Sequence, residues 1–123
     1  MKYILLIYRE ENSLSATTRE ECASEARTLI LELTSKGQFL AAAPLHPTST
    51  AVSVRARDGK RLVTDGPFAE THEQLGGFYL IDTMNLDEAI EIAGRISGAH
   101  TGTIEIRPVA DLPWVTKEQE TAP

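Results

Sequence analysis

An α+β fold built on one antiparallel sheet is predicted by three observations. Apolar, strand-like runs recur along the chain, two helical stripes each separate a pair of them, and a two-residue turn signal, Asp58-Gly59, sits between the halves. The order is therefore β-α-β, a hairpin, then β-α-β. At 123 residues the chain has the size of one domain and is long enough to bury roughly two-thirds of its unfolded surface in a single core.

Residues 3–8, Tyr-Ile-Leu-Leu-Ile-Tyr, are apolar on both alternating faces, which suits a strand in the middle of a sheet. A polar loop from Arg9 to Ala16 leads to Thr18-x-x-Glu21, whose capping-box spacing predicts a helix starting there. Cys22, Ala26, Leu29, Ile30 and Leu33 recur at three- and four-residue steps as its apolar stripe. Glu25, Arg27, Glu32 and Lys36 fall on the solvent side, and Gly37 takes the left-handed position that ends the helix. Phe39 to Ala43 is a short strand stopped by Pro44, and its alanines leave room for a helix or a ligand to come close. Leu45 to Thr50, with His46-Pro47 and several hydroxyls, is a loop.

Ala51 to Arg57 alternates, and Asp58-Gly59 signals a type I′ turn because both central residues must take positive φ. That turn fixes register. Arg57 faces Lys60, Val54 faces Val63 and Val52 faces Asp65, so Val52, Val54, Val63 and Asp65 share one face, expected to point inward. A carboxylate on the apolar side either serves a site or accepts backbone N–H bonds in an Asx-turn opening Gly66-Pro67. Thr71-x-x-Gln74 repeats the capping spacing and predicts one helical turn. Leu75 to Asp82 is a strong strand whose Gly76-Gly77 marks a bulge or a close approach. Asn85, with Glu88 three residues on, caps a second helix with the stripe Leu86, Ala89, Ile90, Ala93 and Ile96, ended by Gly98. Thr103 to Arg107 is the last strand, with Ile104 and Ile106 inward, closed by Pro108. The residues from Ala110, including Trp114, have no period and form a tail lying against the sheet or a partner.

Two helices covering one sheet face give a ferredoxin-like arrangement with the other face open. Since Tyr3 to Tyr8 and Phe78 to Ile81 are apolar on both faces, a second subunit is expected to cover the open one. The net charge of −6 argues against nucleic acid or an anionic membrane surface as partner. Arg55, Arg57, Lys60 and Arg61 are the one concentration of positive charge, and a solvated hairpin accounts for them. A single cysteine, Cys22, and an opening Met1-Lys2 that runs directly into a strand pattern lead to the expectation of cytoplasmic residence. The longest apolar run, residues 3–8, falls far short of the roughly 20 residues of a membrane span. The spacing of His46, His72 and His100 suits no metal pair, and there is no dinucleotide or phosphate-binding glycine pattern, so neither metal nor cofactor is expected.

The run Thr64-Asp65-Gly66-Pro67-Phe68-Ala69-Glu70-Thr71, followed by Gln74-Leu75-Gly76-Gly77-Phe78, resembles the signature of the DGPF branch of the YCII-related family. The resemblance extends from the opening Met-Lys-Tyr-Ile-Leu-Leu-Ile strand through Leu86-Asp87-Glu88-Ala89 to Ile106-Arg107-Pro108-Val109. It implies a domain over residues 1–109 with 110–123 as a C-terminal tail, and a homodimer whose sheets pack face to face as a dimeric α+β barrel, similar to muconolactone isomerases and small monooxygenases. YCII-type members often carry a histidine in the first helix and an aspartate just before its terminating glycine; the matching positions here are Ser24 and Ser35, so that acid/base pair does not carry over.

The sequence places its candidate site at the motif. Asp65 and His46 are the proton-transfer candidates, Phe68, Gly76 and Gly77 are expected to wall a pocket with them, and His72 is a further ligand contact. The implied function is a small-molecule-binding dimer acting as an acid/base enzyme of isomerase or lyase type. The alternative is a non-catalytic ligand- or partner-binding accessory protein linked to transcription regulation.

Overall fold

Nine elements follow one another in the computed structural model, which describes residues 1–13, 15–96 and 98–112: β1 (Lys2–Arg9), α1 (Ala16–Ser35), β2 (Phe39–Pro44), β3 (Val52–Arg57), β4 (Lys60–Asp65), β5 (Gln74–Asp82), α2 (Leu86–Gly94), α3 (Gly98–Thr101) and β6 (Thr103–Pro108). Four strands form one antiparallel sheet in the order β2-β5-β1-β6. Its doubly apolar first strand is interior, as the pattern predicts. β1 and β2 both run antiparallel to β5 between them, so α1 makes a crossover between parallel strands, and the fold is ferredoxin-like with the β3–β4 hairpin inserted.

The core lies between the helices and one sheet face. Tyr3 and Leu5 of β1 and Tyr79 and Ile81 of β5 meet Leu29 and Leu33 of α1, Ala89, Ile92 and Ala93 of α2, and Ile96. The other face presents Ile4 and Leu6 opposite Leu80 and Phe78, all only half-buried.

Local signals set the element ends, with two displacements. Asn85 accepts from the Glu88 amide at 3.0 Å, and Gly37, at φ 71°, ends α1 in a Schellman motif with Gln38 N–H on the Leu33 carbonyl and Gly37 N–H on that of Thr34. However, α1 begins one turn earlier than Thr18-x-x-Glu21 predicts. Ser15 is its N-cap, accepting from the Thr18 amide at 3.1 Å, because Ser15 and Thr18 have the same spacing and the earlier hydroxyl captures the amide. The second helix ends sooner than Gly98, at Gly94, and Gly98 opens the short α3 instead.

Thr71 starts no helical turn; the Gln74 side-chain Nε2 donates to its carbonyl at 2.6 Å, closing a loop. The tail from residue 113, Trp114 included, lies outside the described residues. None of the described helices is long and apolar enough to cross a membrane.

Candidate small-molecule site

The register expected of the hairpin is the one observed. Val52 pairs with Asp65, Val54 with Val63 and Arg57 with Lys60, and Asp58 and Gly59 take φ values of 52° and 72°, the geometry a type I′ turn requires. The burial is not as expected. β3 and β4 form a sheet of their own, and Val52, Val54 and Val63 are 59%, 59% and 62% exposed. Register decides only which residues share a face; covering that face takes another layer, and the described residues supply none.

The residues expected around one pocket are accordingly split. Asp65 is exposed, and among the described residues its carboxylate accepts no hydrogen bond, so the Asx-turn is not formed. The turn is held instead by Gly66 N–H on the Ala51 carbonyl at 2.7 Å and by Ser53 Oγ donating to the Gly66 carbonyl at 2.7 Å. Phe68 is 81% exposed. His46 is exposed in a loop anchored by Glu11, whose carboxylate accepts from Thr48 N–H at 2.6 Å and from its hydroxyl at 2.8 Å. His72, its side chain 87% exposed, pairs with Glu10.

Gly76 and Gly77 do line a cavity, but a different one. It has a volume of about 510 Å³ and lies between α1 and the sheet. Two rows of α1 face it, Cys22-Ala26-Ile30 and Arg19-Ala23-Arg27-Leu31, each at four-residue spacing. Facing them are Ala42 and Ala43 of β2 and the glycine pair of β5. Small residues on both walls keep helix and sheet from filling the space. Gly76 is the extra residue of a β-bulge, since Ile7 pairs with Gly77 and Tyr8 with Leu75. At Gly77 a side chain could not fit, because a Cβ there would lie 2.9 Å from the Ala43 carbonyl oxygen.

Charged groups at the cavity are few and of one kind. Arg9, Arg19 and Arg27 line it, and among the described residues none of the three forms an ion pair, whereas Arg95 is held by Glu32. Tyr79 also lines the cavity and is 6% exposed; burial pushes its phenol up from the ordinary value. Its hydroxyl has no hydrogen-bond partner among the described residues. Because no fully enclosed side-chain oxygen or nitrogen among them is unpartnered, that hydroxyl opens onto free space.

No carboxylate or imidazole belongs to the described lining, and no three His, Cys, Asp or Glu side chains among the described residues stand close enough to hold a metal ion. The site residues that sequence reasoning passed over are those of α1 and Arg9. Their signal was the four-residue row Arg19-Ala23-Arg27-Leu31, together with small residues on β2 and β5; Arg27 is exposed, as expected, and also lines the cavity.

The comparisons with known proteins agree with this fold. The YCII-related domain matches residues 1–114. An uncharacterized protein of Rhizobium meliloti (strain 1021) is 43% identical over 115 residues, covering 89% of this chain and 93% of that one. Among solved structures, the 5-chloro-2-hydroxyhydroquinone dehydrochlorinase of Burkholderia phenoliruptrix AC1100, in complex with 2,5-dihydroxybenzoquinone, is similar with a TM-score of 0.53 and 12% identity, covering 89% of this chain and 94% of that one. At that identity the likeness is one of fold.

Proposed function

This chain belongs to the YCII-related domain family, and on that premise we propose that it is a small-molecule-binding protein whose site is the cavity between α1 and the sheet. The observation that carries the reading is the cavity itself, about 510 Å³, within the roughly 300–1,000 Å³ of ligand pockets. Protein interiors close such voids unless their walls are built to hold them open. Here alanines and glycines stand on both sides. The dehydrochlorinase that shares the fold is described with a single-ring quinone bound, and a ligand of that size suits this volume.

Binding leads over catalysis in this reading because the described lining supplies no carboxylate or imidazole. The test is a thermal-shift panel of one-ring probes, neutral and anionic, 2,5-dihydroxybenzoquinone among them, run on the natural sequence and on Ala26→Phe, which fills the cavity from α1. At least one probe should raise the melting temperature of the former and not of the latter. No shift with any probe, or shifts that survive the filled cavity, would contradict the reading.

A second reading keeps the acid/base chemistry of an isomerase or lyase. In it the protein is a homodimer, and Asp65 and His46 transfer protons while Phe68 and His72 contact the ligand, in a site completed by a second copy. What favours it is the hairpin, a two-stranded sheet with an exposed valine face that has Asp65 at its end and needs a cover the described residues do not provide. Asp65→Asn should then stop conversion of the bound probe, followed by NMR, with binding and assembly intact. Unchanged conversion, or none by the natural sequence, would exclude it.

A further inference from the structure

Resting on the proposal that this cavity is the ligand site, we infer that its ligand is an organic acid, a ring-sized apolar body whose carboxylate is held by Arg9, Arg19 and Arg27. The chain has 18 acidic against 12 basic side chains, so carboxylate partners for three arginines are not scarce. Even so, all three line one largely apolar cavity and, among the described residues, none has an ion-pair partner. Arg95, the C-cap of α2, shows the usual outcome, paired with Glu32.

The three reach the cavity from opposite walls. Arg19 and Arg27 are two turns apart on α1, so their side chains leave the same helix face. Arg9 comes from the end of β1, and its guanidinium lies beside Gly76: a Cβ there would be in ordinary van der Waals contact, 3.7 Å from Arg9 Nε and 4.0 Å from one of its terminal nitrogens. The Arg9 guanidinium thus lies along bare backbone at the bulge, at the rim of the cavity. Guanidinium groups present planar forks that match a carboxylate in two parallel hydrogen bonds; Arg19 and Arg27 are exposed and Arg9 is half-buried, so they would meet the anion on the solvent-facing side of the cavity. With no carboxylate in the described lining, the charge they would neutralise comes from outside the chain.

Benzoate and benzyl alcohol, alike in ring and size and different in charge, test this by calorimetric titration of the full chain. The natural sequence should bind benzoate about tenfold more tightly or better, the order expected of charge-assisted hydrogen bonds, and the preference should shrink as salt is raised. The triple variant Arg9→Gln, Arg19→Gln, Arg27→Gln should bind the two equally while keeping its affinity for benzyl alcohol. Ala26→Phe should bind neither. Equal or better binding of benzyl alcohol by the natural sequence, or a benzoate preference that survives the triple variant, overturns the inference and leaves the site standing. If neither probe binds the natural sequence, the site reading falls with it.

Discussion

Gly77 shows how closely single residues define the site. It faces Ala43 and Pro44 where β5 runs beside β2, and a Cβ there would approach the Ala43 carbonyl oxygen to 2.9 Å and Pro44 Cα to 3.3 Å. Both neighbours are backbone and cannot rotate away. Gly77→Ala is therefore expected to destabilise by about 1–3 kcal/mol, the usual cost of overpacking, measured by urea unfolding; an unchanged midpoint would mean the strands are further apart. Glu32 is a residue whose charge links two elements, through its ion pair with Arg95. Hydrogen bonds from Arg95, then from Lys36, hold its carboxyl below the ordinary carboxylate value. A depressed folded-state pKa contributes stability that is present above the unfolded value and is lost as pH falls through the folded one. The stability curves of the natural sequence and Glu32→Gln should thus differ at neutral pH and converge in acid. Curves that stay parallel into acid would contradict the pair.

Among the elements, the hairpin is the one whose internal geometry was fully readable and whose surroundings were not. Asp58-Gly59 forces the turn, the turn forces the register, and both are local. Gly59→Val, at a φ of 72°, should cost the hairpin about 1–2 kcal/mol. Amide exchange across β3 and β4 should quicken while that of β1 and β5 does not, because the hairpin is a sheet of its own; equal rates before and after would mean another turn type. The helix ends were legible for the same reason where one side chain had no rival, as at Asn85 and Gly37. At the start of α1 two overlapping cap spacings, Ser15 to Thr18 and Thr18 to Glu21, compete, and spacing alone cannot choose between them. The cavity was half legible. The alanines of β2 and the glycines of β5 marked a place left open, but which side of the sheet opened, and that α1 brought Arg19 and Arg27 to it, depends on packing between residues distant in sequence. Asp65 was read onto the right face of its strand, and then onto a pocket that this face does not reach within one chain.

At the scale of the whole molecule, one face of the four-stranded sheet is covered by the described residues and one is not. Ile4, Leu6, Phe78 and Leu80 on the open face, with the valines of the hairpin, make an apolar surface of the kind that pairs copies of a chain. Light scattering at micromolar concentration should give about twice 13.5 kDa; a clean monomer would remove the sheet-to-sheet assembly and with it the acid/base reading that needs a second copy. The proposed small-molecule site stands apart from that outcome, because its walls, α1 and the helix-facing side of β2 and β5, come from one chain. The measurement that bears on it most directly is the set of intermolecular NOEs from a bound one-ring probe to methyl-labelled protein. Contacts to Ile30, Leu31 and Ile7, which line the cavity, are the predicted result. Contacts confined to the hairpin valines or to Ile4 and Leu80 on the open face would place the ligand elsewhere and contradict the account.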